Sequence, residues 1–93
     1  MIKLKFLLKG RVQRVFFRKS TKKTAENLGI SGWVRNRSTG EVEILAIGNE
    51  KAINDFTKWL KIGPKLAKVD KLEILFQRET KKADSEFRIR PDA

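Results

Sequence analysis

Two hydrophobic periods alternate along this chain, and their order leaves few folds open. In residues 2–8, Ile2, Leu4, Phe6 and Leu8 alternate with Lys3, Lys5 and then Lys9, and only Leu7 breaks the pattern. That is a strand with one buried face. Residues 19–28 change to helical spacing through Thr21, Ala25 and Leu28, with Gly29 as the stop. Residues 31–37 read as a second strand, with Val34 and Asn36 on one face and Trp33 and Arg35 on the other. Arg37, Ser38, Thr39 and Gly40 make a turn in which Gly40 can take positive φ. A third strand, residues 41–47, turns Val42, Ile44 and Ala46 to one side. Gly48-Asn49 then opens a second helix, with Asn49 as N-cap and Ala52, Ile53, Phe56, Trp59 and Leu60 as its apolar stripe; Gly63-Pro64 ends it. Leu72, Ile74 and Phe76 mark a fourth strand. Lys81, Lys82, Ala83 and Asp84 form a polar loop, and Phe87 with Ile89 fits a short last strand.

The order is β-α-β-β-α-β with one strand appended. Right-handed crossovers then put both helices on one face of a mainly antiparallel sheet, the α+β ferredoxin-like sandwich. The 93 residues form a single domain spanning residues 1–93, large enough for one core. That fold carries many functions, so the site has to decide.

The residues joining the first strand to the first helix are Gly10-Arg11-Val12-Gln13-Arg14-Val15-Phe16-Phe17-Arg18. A strand-to-helix turn points unpaired backbone N–H groups at one spot, where the helix dipole adds partial positive charge. Acidic or capping residues usually stand there. Here Arg11, Arg14, Arg18 and Lys19 do, and no carboxylate occurs before Glu26. Such a cluster fits an anion held by the N–H groups and by one guanidinium in bidentate contact. Arg18 suits that role because it begins the helix whose free amides face the ligand. Asn36, near the end of the second strand, reaches the same end of the sheet if that strand pairs beside the first.

Composition restricts the chemistry further. There is no cysteine and no histidine, so thiol nucleophiles, thiolate metal sites and the commonest general base are excluded. Glu41 and Glu43 stand at strand spacing, which reads as a solvated face rather than a metal site. A carboxamide cannot remove a proton at pH 7, but it can orient a water as phosphoryl transfer requires. A good leaving group, such as the carboxylate of an acyl phosphate, needs no general acid.

The loop residues just quoted, with Gly32-Trp33-Val34-Arg35-Asn36 and Gly40-Glu41-Val42, resemble the two signature blocks of the acylphosphatases. The similarity continues through Gly63-Pro64 and Phe87-Arg88-Ile89. It implies the ferredoxin-like fold and hydrolysis of carboxyl-phosphate bonds without metal or other cofactor. By that resemblance Arg18 matches the phosphate-binding catalytic arginine and Asn36 the water-positioning asparagine. The backbone of Gln13, Arg14, Val15, Phe16 and Phe17 matches the phosphate cradle. The family pattern is Gly-x-Val-Gln-Gly-Val-x-Phe-Arg, and Arg14 stands at its second glycine. A left-handed arginine costs about 1–2 kcal/mol. It is therefore expected either to strain the cradle or to pull the loop out of shape, and a low-activity or inactive domain is one alternative reading.

The expected partners are a small-molecule acyl phosphate and inorganic phosphate, as product and inhibitor, with the chain a monomer. The net charge of +11 keeps a basic nucleic-acid-binding module as the other alternative. RNA-recognition domains of this order carry exposed aromatics on their central strands. Residues 42–47 have none, so nucleic-acid binding is expected to be weak and nonspecific at most. Lys3, Lys5 and Lys9 interrupt any signal-peptide core, and no apolar run is long enough to span a membrane. The expected location is the cytoplasm.

Overall fold

The computed structural model of the protein describes residues 1–81 and 86–93, so the polar loop expected at 81–84 falls, apart from Lys81, outside the described residues. The chain runs β1 (Ile2–Arg11), α1 (Phe17–Asn27), β2 (Ser31–Asn36), β3 (Val42–Gly48), α2 (Glu50–Ile62), β4 (Lys68–Glu79) and β5 (Phe87–Ile89). The strands form one sheet in the order β4-β1-β3-β2-β5. β1 pairs antiparallel with β3 and β4, β2 antiparallel with β3, and β2 parallel with β5. This is the ferredoxin-like arrangement expected from the order of periods, with β5 added at the edge.

One core explains why these segments hold together. Leu4, Phe6 and Leu8 of β1, Val34 of β2, and Val42, Ile44 and Ala46 of β3 all turn to the helix side. There they meet Phe17 and Ala25 of α1 and Ala52, Ile53, Phe56 and Leu60 of α2. The Phe56 ring is central, edge-on to both Phe6 and Phe87 and stacked against Trp59. Burying each such side chain contributes roughly 1.5–3 kcal/mol. Helix α2 begins as expected, for the Asn49 carboxamide oxygen accepts a hydrogen bond from the Ala52 N–H at 2.8 Å.

Several details differ from the sequence-based expectation. β2 does not lie beside β1, because β3 stands between them. Two successive antiparallel pairings nevertheless make β1 and β2 parallel, so their C-terminal ends share one end of the sheet. β1 runs on to Arg11, since a register shift between Lys9 and Gly10 lets it keep pairing with β4 as far as Lys68. A second shift, between Lys5 and Phe6, leaves Leu75 as an extra residue on β4. As a result Ile74 is opposite Phe6 on the helix side while Phe76 is opposite Lys5 on the other.

The face away from the helices is not simply solvated. The Glu43 side chain is 4 % exposed and ion-paired to Lys5 at 2.9 Å and Arg35 at 2.7 Å. Burial works to raise its pKa, but hydrogen bonds from Lys5 and Arg35 outweigh this and hold the carboxyl below its ordinary value. Trp33, next to this network, carries Lys5, Arg35 and Arg90 within 4.9–5.5 Å of its ring centre.

Helix α1 starts at Phe17 rather than at 19, because Phe17 is a core anchor. Its ring packs on Trp59, with centroids 5.9 Å apart, and against the end of α2. Gly63 makes that approach possible: its φ is 73, and a Cβ there would meet Phe17 Cε2 at 2.8 Å. Gly63→Ala is therefore expected to lower unfolding stability by about 1–3 kcal/mol. Urea denaturation measures it; an unchanged midpoint would mean that Phe17 is free to move aside.

Candidate active site

Where β1 ends, the chain must reverse into α1 within a few residues, and two of them adopt left-handed backbone to do so. Arg14 has φ 62 and Phe16 φ 60, while Gln13, Val15 and Phe17 do not share that sign. Alternation of this kind turns successive N–H groups towards one concave side. Phe16 stands at the N-cap of α1, and no side chain caps the helix. The first turn carries no acidic residue either. The Ser20 N–H, bonded to the Phe16 carbonyl at 3.0 Å, is the first of the helix to find a backbone acceptor. The preceding N–H groups, from Gln13 to Lys19, have none among the described residues. The buried side chains of Val12, Val15 and Phe17 pin the loop to the core.

Gln13 ties this loop to a distant turn. Its Nε2 donates to the Arg37 carbonyl at 2.8 Å and to the Glu41 carbonyl at 2.9 Å. Those carbonyls flank the turn between β2 and β3, where the Arg37 N–H also bonds Glu41 O at 2.8 Å. Gln13 was expected to matter through its backbone alone; its side chain turns out to brace the loop against the strand that carries Asn36.

Asn36 ends β2 opposite Val42, which in turn is opposite Leu8 on β1. The three share the helix-side face, so Asn36 points under the N-terminus of α1. It is 7 % exposed, and its carboxamide oxygen has no hydrogen-bond partner among the described residues. Leaving such a group unsatisfied costs about 1–3 kcal/mol. A ligand or water that donates to it would offset that cost.

Arg18 and Asn36 line one cavity of about 350 Å³, together with Val12, Arg14, Phe16, Phe17, Lys19 and Ile89. The predicted site residues Arg14, Phe16, Phe17, Arg18 and Asn36 thus line one cavity, while the side chains of Gln13 and Val15 turn elsewhere, to the Arg37 and Glu41 carbonyls and to the core. The Arg18 guanidinium is also held from outside, Nη1 donating to Asp92 Oδ1 at 3.0 Å. The terminal residues reach the site because Ala93 N–H bonds the Asn36 carbonyl at 2.9 Å and the Ser38 N–H bonds the Ala93 carbonyl at 2.7 Å. Ile89 and Asp92 had no site role in the sequence reading, since nothing local to residues 87–93 shows that β5 returns to this end of the sheet. No cluster of acidic, His or Cys residues suited to a metal occurs among the described residues.

The sequence profile of the acylphosphatase family matches residues 4–89. An acylphosphatase of Thiobacillus denitrificans is 42% identical over 85 residues, covering 91% of this chain and 92% of that protein. One from Aliivibrio fischeri is 47% identical over 75 residues, covering 81% and 80%. The crystal structure of acylphosphatase from Bacillus subtilis superposes with a TM-score of 0.91 at 33% identity, covering 97% of this chain and 99% of that one.

Of the two expectations for Arg14, the geometry is that of the strained one: the residue stays in the loop with left-handed backbone and an exposed side chain. Glycine would adopt this backbone without the steric cost of about 1–2 kcal/mol, though it loses more freedom on folding. Arg14→Gly is expected to raise stability by up to about 1 kcal/mol, read from the urea midpoint. A clear loss of stability would show that the arginine side chain holds the loop together.

Proposed function

The chain belongs to the acylphosphatase family, and from that membership and the geometry of the loop we propose a metal-free hydrolysis of acyl phosphates to carboxylate and inorganic phosphate. The observation that carries the proposal is the meeting, in one cavity, of an uncapped basic helix N-terminus and a buried carboxamide oxygen without a partner.

The phosphoryl oxygens lie in the cradle made by the N–H groups of Gln13, Arg14, Val15, Phe16 and Phe17, where the dipole of α1 adds positive charge. Arg18 clamps two of those oxygens, and Asp92 fixes the plane of its guanidinium from the far side. Asn36 accepts one hydrogen bond from the attacking water and so aims the oxygen lone pair at phosphorus. The water oxygen bonds to phosphorus as the bond to the acyl oxygen breaks, and that bonding pair leaves with the carboxylate. A phosphate oxygen takes the proton of the water, so neither a general base nor a general acid is required of the protein. Charge spreading over the phosphoryl oxygens is met by donors already in place, which is where most of the rate enhancement arises. Inorganic phosphate fits the same cradle and acts as a competitive inhibitor.

The alternative of a weakened enzyme turns on Arg14. Because the loop already holds its left-handed shape with arginine at this position, relief of strain in Arg14→Gly stabilises the free and phosphate-bound forms alike. Phosphate inhibition should change little on that account. The nucleic-acid alternative gains little from the sheet, since Lys5 and Arg35, the cations beside Trp33, are already paired to Glu43. The enzyme is read as a cytoplasmic monomer whose surface charge gives at most weak, salt-sensitive contact with nucleic acid. No helix among the described residues is long and apolar enough to cross a membrane.

Hydrolysis of benzoyl phosphate in excess chelator tests the reaction. Activity should survive the chelator, Arg18→Ala should lower kcat/KM by about 10²–10³-fold, and Asn36→Ala should lower kcat by a similar factor with phosphate inhibition little changed. Activity lost to the chelator would remove the metal-free mechanism. Wild-type turnover in Asn36→Ala would remove that residue from it.

A further inference from the structure

A cradle for phosphate and a seat for water leave two apolar side chains at the cavity mouth without a role. Phe16 is 72% exposed and Ile89 43%, and both line the cavity that holds Arg18 and Asn36. The neighbouring Phe17 is 2% exposed and packs on Trp59; Phe16 makes no ring contact with another aromatic among the described residues. Its left-handed backbone does not account for the ring, because glycine adopts φ 60 with no steric conflict. Core packing does not account for it either. A large apolar side chain left in water on strained backbone is a feature expected at sites that meet a ligand.

Ile89 arrives at the same place by a different route. It lies two residues beyond Phe87, which is 1% exposed, and therefore on the same, helix-facing side of β5. β5 is parallel to β2, and β2 to β1, so its C-terminal end is the end where α1 begins. Beyond the cover of α1 the Ile89 side chain opens onto the cavity instead of onto the core.

We propose that Phe16 and Ile89 form the acyl-group subsite, and that the preferred substrates carry a flat aromatic or branched apolar acyl group rather than acetyl. This rests on the phosphatase reading above. With the phosphoryl group in the cradle and water on the Asn36 side, in-line displacement directs the leaving oxygen away from Asn36, towards the open mouth. The acyl carbons are joined to that oxygen and so emerge between the rim side chains. Contact there removes apolar surface of both partners from water. Arg14 and Lys19, on the same rim, disfavour a cationic acyl group.

The test compares kcat/KM for benzoyl phosphate and acetyl phosphate in the wild type, Phe16→Asn and Ile89→Ala. Asparagine tolerates left-handed backbone, so the first variant removes the ring while sparing the loop geometry. Taking the ratio of the two substrates cancels any shared damage to the cradle. The ratio of benzoyl to acetyl should fall about tenfold in each variant. An unchanged ratio in Phe16→Asn overturns the subsite while leaving the phosphatase reading intact. A wild type that hydrolyses neither substrate overturns both.

Discussion

The carboxamide of Gln13 reaches from the loop after β1 to the carbonyls of Arg37 and Glu41, 24 and 28 residues further on. On one side of that contact is the turn into α1, with its unsatisfied N–H groups; on the other is the strand end that carries Asn36. The two halves of the site belong to separate strands, and β3 lies between them. Without a brace at this end the sheet alone would set their separation, and a shift of about 1 Å is enough to cost two orders of magnitude in rate. Two hydrogen bonds to buried or half-buried backbone, each contributing on the order of 1 kcal/mol, suffice to hold the parts in register.

The rest of the molecule supports that arrangement from below. Phe17 anchors the first residue of α1 in the core and needs Gly63 to make room for it. Val12 and Val15 do the same for the loop. With these side chains buried, the backbone between them has little freedom, and it accepts left-handed geometry at Arg14 and Phe16. Local strain of this kind persists only where the surroundings over-determine the conformation. In the proposed reaction the same rigidity keeps the N–H groups aimed at one point before substrate arrives, so that little reorganisation is required when charge develops.

Much of this was legible in the chain itself. The change from period two to helical spacing marked every element, and the Asn49 cap and the stripe of α2 stand where local rules put them. The basic, uncapped junction pointed to Arg18 and strand spacing put Asn36 on one face with Val34, and both residues line the same cavity. What stayed hidden was non-local. Periodicity names the buried face of a strand but not its neighbour, so the place of β3 between β1 and β2 required the fold. A register shift such as that at Leu75 moves Phe76 to the other face without leaving a local signal. Glu43 looks solvated because its cationic partners, Lys5 and Arg35, are distant in sequence. The sequence assigns Phe16 only a backbone place in the cradle, and its side chain is set apart by the backbone angle and exposure that the fold supplies.

The central claim is that the turn between β1 and α1 is a preformed anion cradle. Titration of the protein with inorganic phosphate, followed by amide proton and nitrogen chemical shifts, tests it most directly. The account predicts saturable shifts concentrated in residues 13–19, with the Asn36 side-chain amide moving along with them and the rest of the backbone little affected. Small, non-saturating shifts spread over the lysines of α1 and β1, with residues 13–19 unmoved, would contradict it.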